Sequence, residues 1–135
     1  MIKKGIILAG GTGSRMSPLT KAVNKQLLPI YDKPLIYYPL SVLMLSGIRD
    51  VLVIVNKGQI NQFKKILPSE NNLGIKISYA EQKYPKGLPD AFQIGKNFIG
   101  KNGVVMILGD NFFYGQSLTK ILKGCLKFNN GATII

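Results

Sequence analysis

The sequence contains no histidine and no tryptophan, a single cysteine and only six acidic residues in 135. Without histidine, neither a histidine general base nor a histidine-ligated metal is available, and one cysteine cannot close an internal disulfide. The spacing of Leu118, Ile121, Leu122, Cys125 and Leu126 puts that cysteine on the apolar face of a helix, where an inert core position is expected. No apolar run approaches the roughly eighteen residues of a membrane span. The first apolar stretch stops at Gly10-Gly11, too early for the core of a signal peptide, so a cytoplasmic location is expected. Eighteen Lys and Arg against the six acids give a formal charge of +12. The lysines are scattered, with doublets only at Lys3-Lys4 and Lys64-Lys65, and no zinc spacing or RNA-binding signature accompanies them, so specific nucleic-acid binding is not expected. A positive field of this kind speeds the arrival of anionic small molecules.

What is present is ample apolar material, 46% of residues, in a chain of single-domain length. Apolar runs alternate with helical periodicity, which predicts an α/β fold with a parallel sheet. Strands are expected at 5–9, 50–55, 76–81 and 104–108, and a fifth opens at Ala132-Thr133-Ile134-Ile135. Helices are expected over 35–46 with Pro34 at its start and Gly47 at its end, over 59–67 before Pro68, over 88–98 with Pro89 near its first position, and over 118–128. The apolar ending at Ile134-Ile135 suggests a fragment, whose last strand would leave an open edge inviting self-association.

The chain is organised around Leu8-Ala9-Gly10-Gly11-Thr12-Gly13-Ser14-Arg15, a buried strand that breaks into glycines. Glycines allow positive φ and close approach of a ligand to the backbone, successive amides can converge on an anion, and Arg15 adds a planar, permanent cation. An ordinary glycine turn with a surface arginine is the alternative. Two known phosphate patterns fit poorly. No Lys-Ser/Thr pair follows Gly10 at the Walker spacing, and Gly11-Thr12-Gly13-Ser14-Arg15-Met16 lacks the third glycine of the dinucleotide fingerprint, while Pro18 interrupts the helix that fingerprint needs.

Two further candidate sites follow strands. In Glu81-Gln82-x-x-Pro85-x-Gly87-Leu88, the Gln82 amide offers both donor and acceptor to a base edge and Gly87 admits a backbone amide to the same ring. A polar strand end followed by a helix-starting glycine is the plainer reading of those residues. In Leu108-Gly109-Asp110-Asn111, a carboxylate directly after an apolar strand suits Mg²⁺, with a capping Asp as the alternative.

The stretch Leu8 to Pro29, with Arg15, Met16, Pro18-Leu19-Thr20 and Lys25-Gln26-Leu27-Leu28-Pro29, followed by Tyr31-Asp32-Lys33-Pro34, resembles the signature of the sugar-1-phosphate nucleotidylyltransferases. Its Lys25-Gln26-Leu27-Leu28-Pro29 form is similar to the glucose-1-phosphate thymidylyltransferase branch. The resemblance implies a Rossmann-like, mostly parallel sheet with helices on both faces, truncated to the N-terminal nucleotide-binding portion over residues 1–135, with the sugar-binding half absent. It implies Mg²⁺-dependent transfer of a thymidylyl group from dTTP to glucose 1-phosphate, giving dTDP-glucose and pyrophosphate, by an enzyme that is a homo-oligomer when intact. A non-catalytic nucleotide-binding or regulatory module is the competing expectation.

By the same resemblance, Arg15 meets the β- and γ-phosphates, Lys25 the reacting phosphate, and Asp110 the metal. Leu8, Ala9, Gly10, Gly11, Thr12, Gly13 and Ser14 form the nucleotide cradle, Gln26 touches sugar or ribose, and Gln82, Gly87 and Leu88 hold the base. Asn111 is assigned to substrate. One departure stands out: Pro89-Asp90 replaces the Ala-Gln expected there and brings a negative charge toward the base wall.

Overall fold

The computed structural model describes residues 1–127 and 130–135. Its main sheet contains β1 (Lys4–Ala9), β4 (Asp50–Asn56), β5 (Lys76–Gln82) and β6 (Val104–Leu108), all parallel, in the spatial order β5-β4-β1-β6. A two-stranded hairpin, β2 (Pro29–Ile30) and β3 (Lys33–Pro34), stands apart from it. The central strands are apolar on both faces, as a parallel sheet covered on both sides requires: Ile6, Ile7, Val51, Val53, Ile54 and Val55 are fully buried.

Alternation along the strands divides the core into two layers. Ile7, Ala9, Val51, Val53, Val55 and Ile77 pack with α1 (Tyr37–Ser46), with Phe63 of α2 (Ile60–Ile66), and with Leu126 just past α5 (Leu118–Cys125). Ile6, Leu52 and Ile54 face α3 (Leu88–Ile94) and α4 (Lys96–Ile99) through Ala91, Ile94 and Phe98. The expected fold class, a parallel sheet with helices on both faces, is the observed one. Among the described residues, no helix is long and apolar enough to cross a membrane.

Several expectations are corrected. The helix after the hairpin begins at Tyr37, because Pro34 pairs in β3 while the Leu35 and Ile36 amides donate to the carbonyls of Leu28 and Gln26. The expected helix over 88–98 is interrupted at Gly95, which lies so close to β1 that a Cβ there would come within 2.9 Å of Ile6 Cδ1. Cys125 is only half-buried, since α5 presents no fully buried residue and the chain reaches the core one position later, at Leu126. The Phe128 end of that expected helix lies outside the described residues.

Residues 132–135 form no strand, and Ile134 is 98% exposed. Thr and Ile favour strands only where a neighbour completes the ladder. Among the described residues none pairs with them, so the expected fifth strand is absent. The outer edge next to β1 belongs to β6.

Candidate functional site

The strand order fixes where a ligand crevice lies. From β1 the chain steps outward to β4 and β5, then returns through α3 and α4 to β6 on the other side of β1. The direction in which strands are added thus reverses at β1, with the loops after β1 and β6 both leading to helices on one face, α1 and α5, and open α/β sheets bind ligands at such a switch point, outside the carboxyl ends of the strands. A cavity of about 250 Å³ lies there, lined by Gly10 to Met16 from the loop after β1, by Lys25 and Gln26, and by Asp110 after β6.

The loop is held by side chains from elsewhere in the chain. Asn56, at the end of β4, accepts from the Gly11 amide at 2.9 Å and donates to the Gly11 carbonyl at 2.7 Å. Thr20 Oγ1 donates to the Gly13 carbonyl at 2.7 Å. Asn24 is buried; its Nδ2 donates to the Ala9 carbonyl at 3.1 Å and to Gln59 Oε1 at 2.7 Å, while its Oδ1 accepts from the Gln26 amide at 2.9 Å. Two glycines are needed for distinct reasons. Gly13 sits at φ +60° beneath Thr20, whereas a Cβ on Gly10 would overlap the Gln82 amide.

Lys25 Nζ and Asp110 Oδ2 form an ion pair at 2.7 Å across the crevice, each side chain 32% exposed. The pair ties the β1 and β6 loops together. Gly109 makes the approach possible, since a Cβ there would press on Gln26 Cγ at 2.9 Å and on the backbone of β1. Arg15, in a short turn over Ser14–Met16, is exposed, lines the cavity and takes part in no ion pair among the described residues. With Lys25 neutralised by Asp110, Arg15 is the cation available to an incoming anion. This arrangement can seat phosphate groups on the loop amides beside the guanidinium.

Mg²⁺ commonly takes one or two carboxylates and completes its shell with water and substrate phosphates. Asp110 suits that role, as a partly exposed carboxylate facing the glycine loop with Oδ2 engaged by Lys25. No cluster of three metal-binding side chains occurs among the described residues, so protein ligands alone make no closed cage.

Other residues singled out from the sequence are not part of this cavity's lining. The Leu8 carbonyl accepts from the Gly109 amide at 2.8 Å, and Ala9 is fully buried. Gln82, 5% exposed, donates from Nε2 to Asn56 Oδ1 at 3.1 Å. Gly87 has φ +92° and a Cβ there would meet only Pro89 Cδ, at 3.8 Å; Leu88 is 46% exposed, and the half-buried Asp90 donates its amide to the Gly87 carbonyl. Asn111 is half-buried, with its amide on the Leu108 carbonyl. Sequence reasoning passed over Asn24 and Asn56, and gave Thr20 no role beyond its place in the signature. Asn56 carried a signal, as a polar residue ending an apolar strand at the carboxyl edge of a parallel sheet.

The Nucleotidyl transferase family profile matches residues 4–135. The chain belongs to the nucleotidyl transferase family. Within that family it is 57% identical over 131 residues to a glucose-1-phosphate thymidylyltransferase of Neisseria meningitidis, covering 97% of this chain and 46% of that protein. It is 50% identical over 132 residues to the same enzyme of Xanthomonas campestris pv. campestris, covering 98% of this chain and 45% of that one. The chain thus spans about half the length of the curated relatives it matches. A Bacillus anthracis structure provisionally named glucose-1-phosphate thymidylyltransferase, in complex with a sucrose, superposes with a TM-score of 0.80 at 37% identity, over 87% of this chain and 48% of that one. A UDP-glucose pyrophosphorylase complexed with UDP-glucose superposes with a TM-score of 0.76 at 30% identity, over 94% and 53%. These nucleotidyl transferase relatives share the sheet that creates the crevice.

Proposed function

We propose that residues 1–135 form the nucleotide-binding portion of a glucose-1-phosphate thymidylyltransferase. One observation carries the reading: the glycine loop, Arg15 and the Lys25–Asp110 pair converge on a single crevice at the switch point of the sheet, in a chain 57% identical to such an enzyme. In the proposed reaction a phosphate oxygen of glucose 1-phosphate attacks the α-phosphorus of dTTP. The new P–O bond forms in line as the bond from that phosphorus to the oxygen bridging to the β-phosphate breaks, and pyrophosphate leaves. The nucleophile is already anionic, so no general base is needed and a chain without histidine suffices. Catalysis then rests on positioning and charge neutralisation.

The amides of Thr12 to Ser14 cradle the triphosphate and Arg15 receives charge developing on the leaving pyrophosphate. Lys25 steadies the reacting phosphate, released from or shared with Asp110 as the nucleotide arrives. Asp110 would hold Mg²⁺, which supplies further neutralisation of phosphate charge when bound. Gln26 faces sugar or ribose, Asn111 lies toward substrate, and Gln82, Gly87 and Leu88 form the base wall. Gln82 and the Gly87 amide meet hydrogen-bonding groups that thymine and uracil share. Preference for dTTP over dUTP then rests on the thymine methyl, worth about 1–3 kcal/mol. UTP is accordingly expected to be a poorer but detectable substrate.

The test is a chimera in which this chain replaces the matching segment of the Neisseria meningitidis enzyme. Mg²⁺-dependent release of pyrophosphate from dTTP and glucose 1-phosphate, with ATP and GTP poor donors, is the expected result. A folded chimera that makes no dTDP-glucose, or that prefers a purine triphosphate, contradicts the proposal. The 135-residue chain alone is expected to bind dTTP weakly without turnover, because the acceptor phosphate has no anchor.

A further inference from the structure

Gly10, Asn56 and Gln82 stand level on three neighbouring strands. The β1–β4 ladder pairs Ala9 with Val55, so Gly10 is level with Asn56, which pairs in turn with Gln82 on β5. By alternation from Leu52, Ile54 and Ala80, all three positions are on the face covered by α3 and α4. The missing side chain of Gly10 leaves the space into which the Gln82 amide reaches.

The hydrogen bonds in this row have a polarity set from one end. The Gly11 backbone presents one donor and one acceptor to Asn56, and only one orientation of a carboxamide satisfies both, with Oδ1 on the amide and Nδ2 on the carbonyl. The same Oδ1 faces Gln82, and the only donor Gln82 carries on its side chain is Nε2, which it supplies at 3.1 Å. Gln82 Oε1 is thereby turned away from Asn56. No donor among the described residues engages it, and it is not sealed from solvent.

We infer that Asn56 is a specificity-determining positioning residue, which fixes the acceptor end of Gln82 toward the base through its own attachment to the glycine loop. The inference rests on the proposed role of Gln82 in base reading. Thymine and uracil carry a donor at N3–H, whereas cytosine carries a bare acceptor at N3. An outward Oε1 accepts from the former and repels the latter, so the loop backbone, by way of Asn56, selects imide bases.

Titration calorimetry on the 135-residue chain with dTTP, dCTP and inorganic tripolyphosphate, each with Mg²⁺, tests this. The parent chain is expected to prefer dTTP over dCTP by about tenfold or more, since a mismatched polar group is left facing its like. Asn56→Ala frees Gln82 to rotate and is expected to cut that ratio below about twofold, while weakening tripolyphosphate about fivefold through the slackened loop. Asn56→Asp still accepts from Gly11 and Gln82 but opposes the Gly11 carbonyl, so the base ratio should persist while tripolyphosphate binding falls. A role confined to stability would move dTTP and dCTP together in both variants.

An unchanged base ratio in folded Asn56→Ala overturns the inference and leaves the proposed function standing. A parent chain that binds no nucleoside triphosphate overturns both. If Asn56→Ala does not fold, ¹⁵N spectra of the parent chain decide, with thymidine as the probe because it has no phosphates. Shifts of the Gln82 side-chain amide and the Gly11 amide together support the relay, and movement of Gln82 with Gly11 unmoved overturns it.

Discussion

The glycine-loop wall of the crevice and the segment proposed above as its base wall are built to different degrees. On the glycine-loop wall, Gly11 is bonded twice to Asn56, Gly13 to Thr20, Ala9 to Asn24, and Lys25 to Asp110. In the proposed base wall, every residue from Lys83 to Pro89 is exposed, and a Cβ on Gly87 would meet only Pro89 Cδ, at 3.8 Å. The first wall is organised before any ligand arrives, so binding there costs little ordering entropy. Sites that position phosphate need the first kind of construction.

Four substitutions grade that difference. In the chimera, Arg15→Ala is expected to cost the most, about 10²–10³ in kcat, the usual loss of a charge-stabilising contact; near-normal kcat/KM would remove Arg15 from the leaving-group role. Gly10→Ala forces a Cβ into the Gln82 amide. Chemical denaturation should show a loss of about 1–3 kcal/mol, typical of overpacking, with weaker dTTP binding. At Gly87 there is no such collision, only φ +92°. Gly87→Ala is therefore expected to cost about 1 kcal/mol in local strain, to alter base preference, and to leave tripolyphosphate binding intact. Tyr84→Ala, at an exposed position on the same wall, should stay within about 0.5 kcal/mol in stability. Equal losses from the Gly10 and Gly87 substitutions would erase the distinction between the walls.

The difference also explains what was readable in advance. Apolar strands flanked by helical periodicity announced the sheet, and the glycines, Arg15, Lys25 and Asp110 were legible because each is adjacent to a strand end or a dense local motif. Asn24 and Asn56 act at a distance: Asn56 reaches Gly11 across 45 positions of sequence, and nothing local to it names its partner. Strand register supplies that information, and register emerges only when β1 and β4 pair. The short helices were misjudged for a related reason. Pro34 and Gly95 each carry a local helix signal, one favourable and one merely tolerable, yet hairpin pairing and the packing of Gly95 on Ile6 decide their fates. Residues 132–135 have strand propensity without a ladder to join, and propensity alone left them irregular.

A second cavity, about 510 Å³, opens between α1 and residues 66–73 and is lined largely by Tyr37, Leu40, Met44, Leu67, Pro68 and Leu73. It is larger than the crevice but offers no glycine cradle, so it gives the central claim a definite rival location. The most direct measurement is a ¹⁵N titration of the chain with dTTP and Mg²⁺. The account predicts shifts concentrated at Gly10 to Met16, Lys25, Gln26 and Asp110, with weaker changes at Gln82 and Gly87. Shifts confined to Tyr37, Leu40, Met44 and residues 66–73, or a spectrum unchanged at saturating nucleotide, would contradict it.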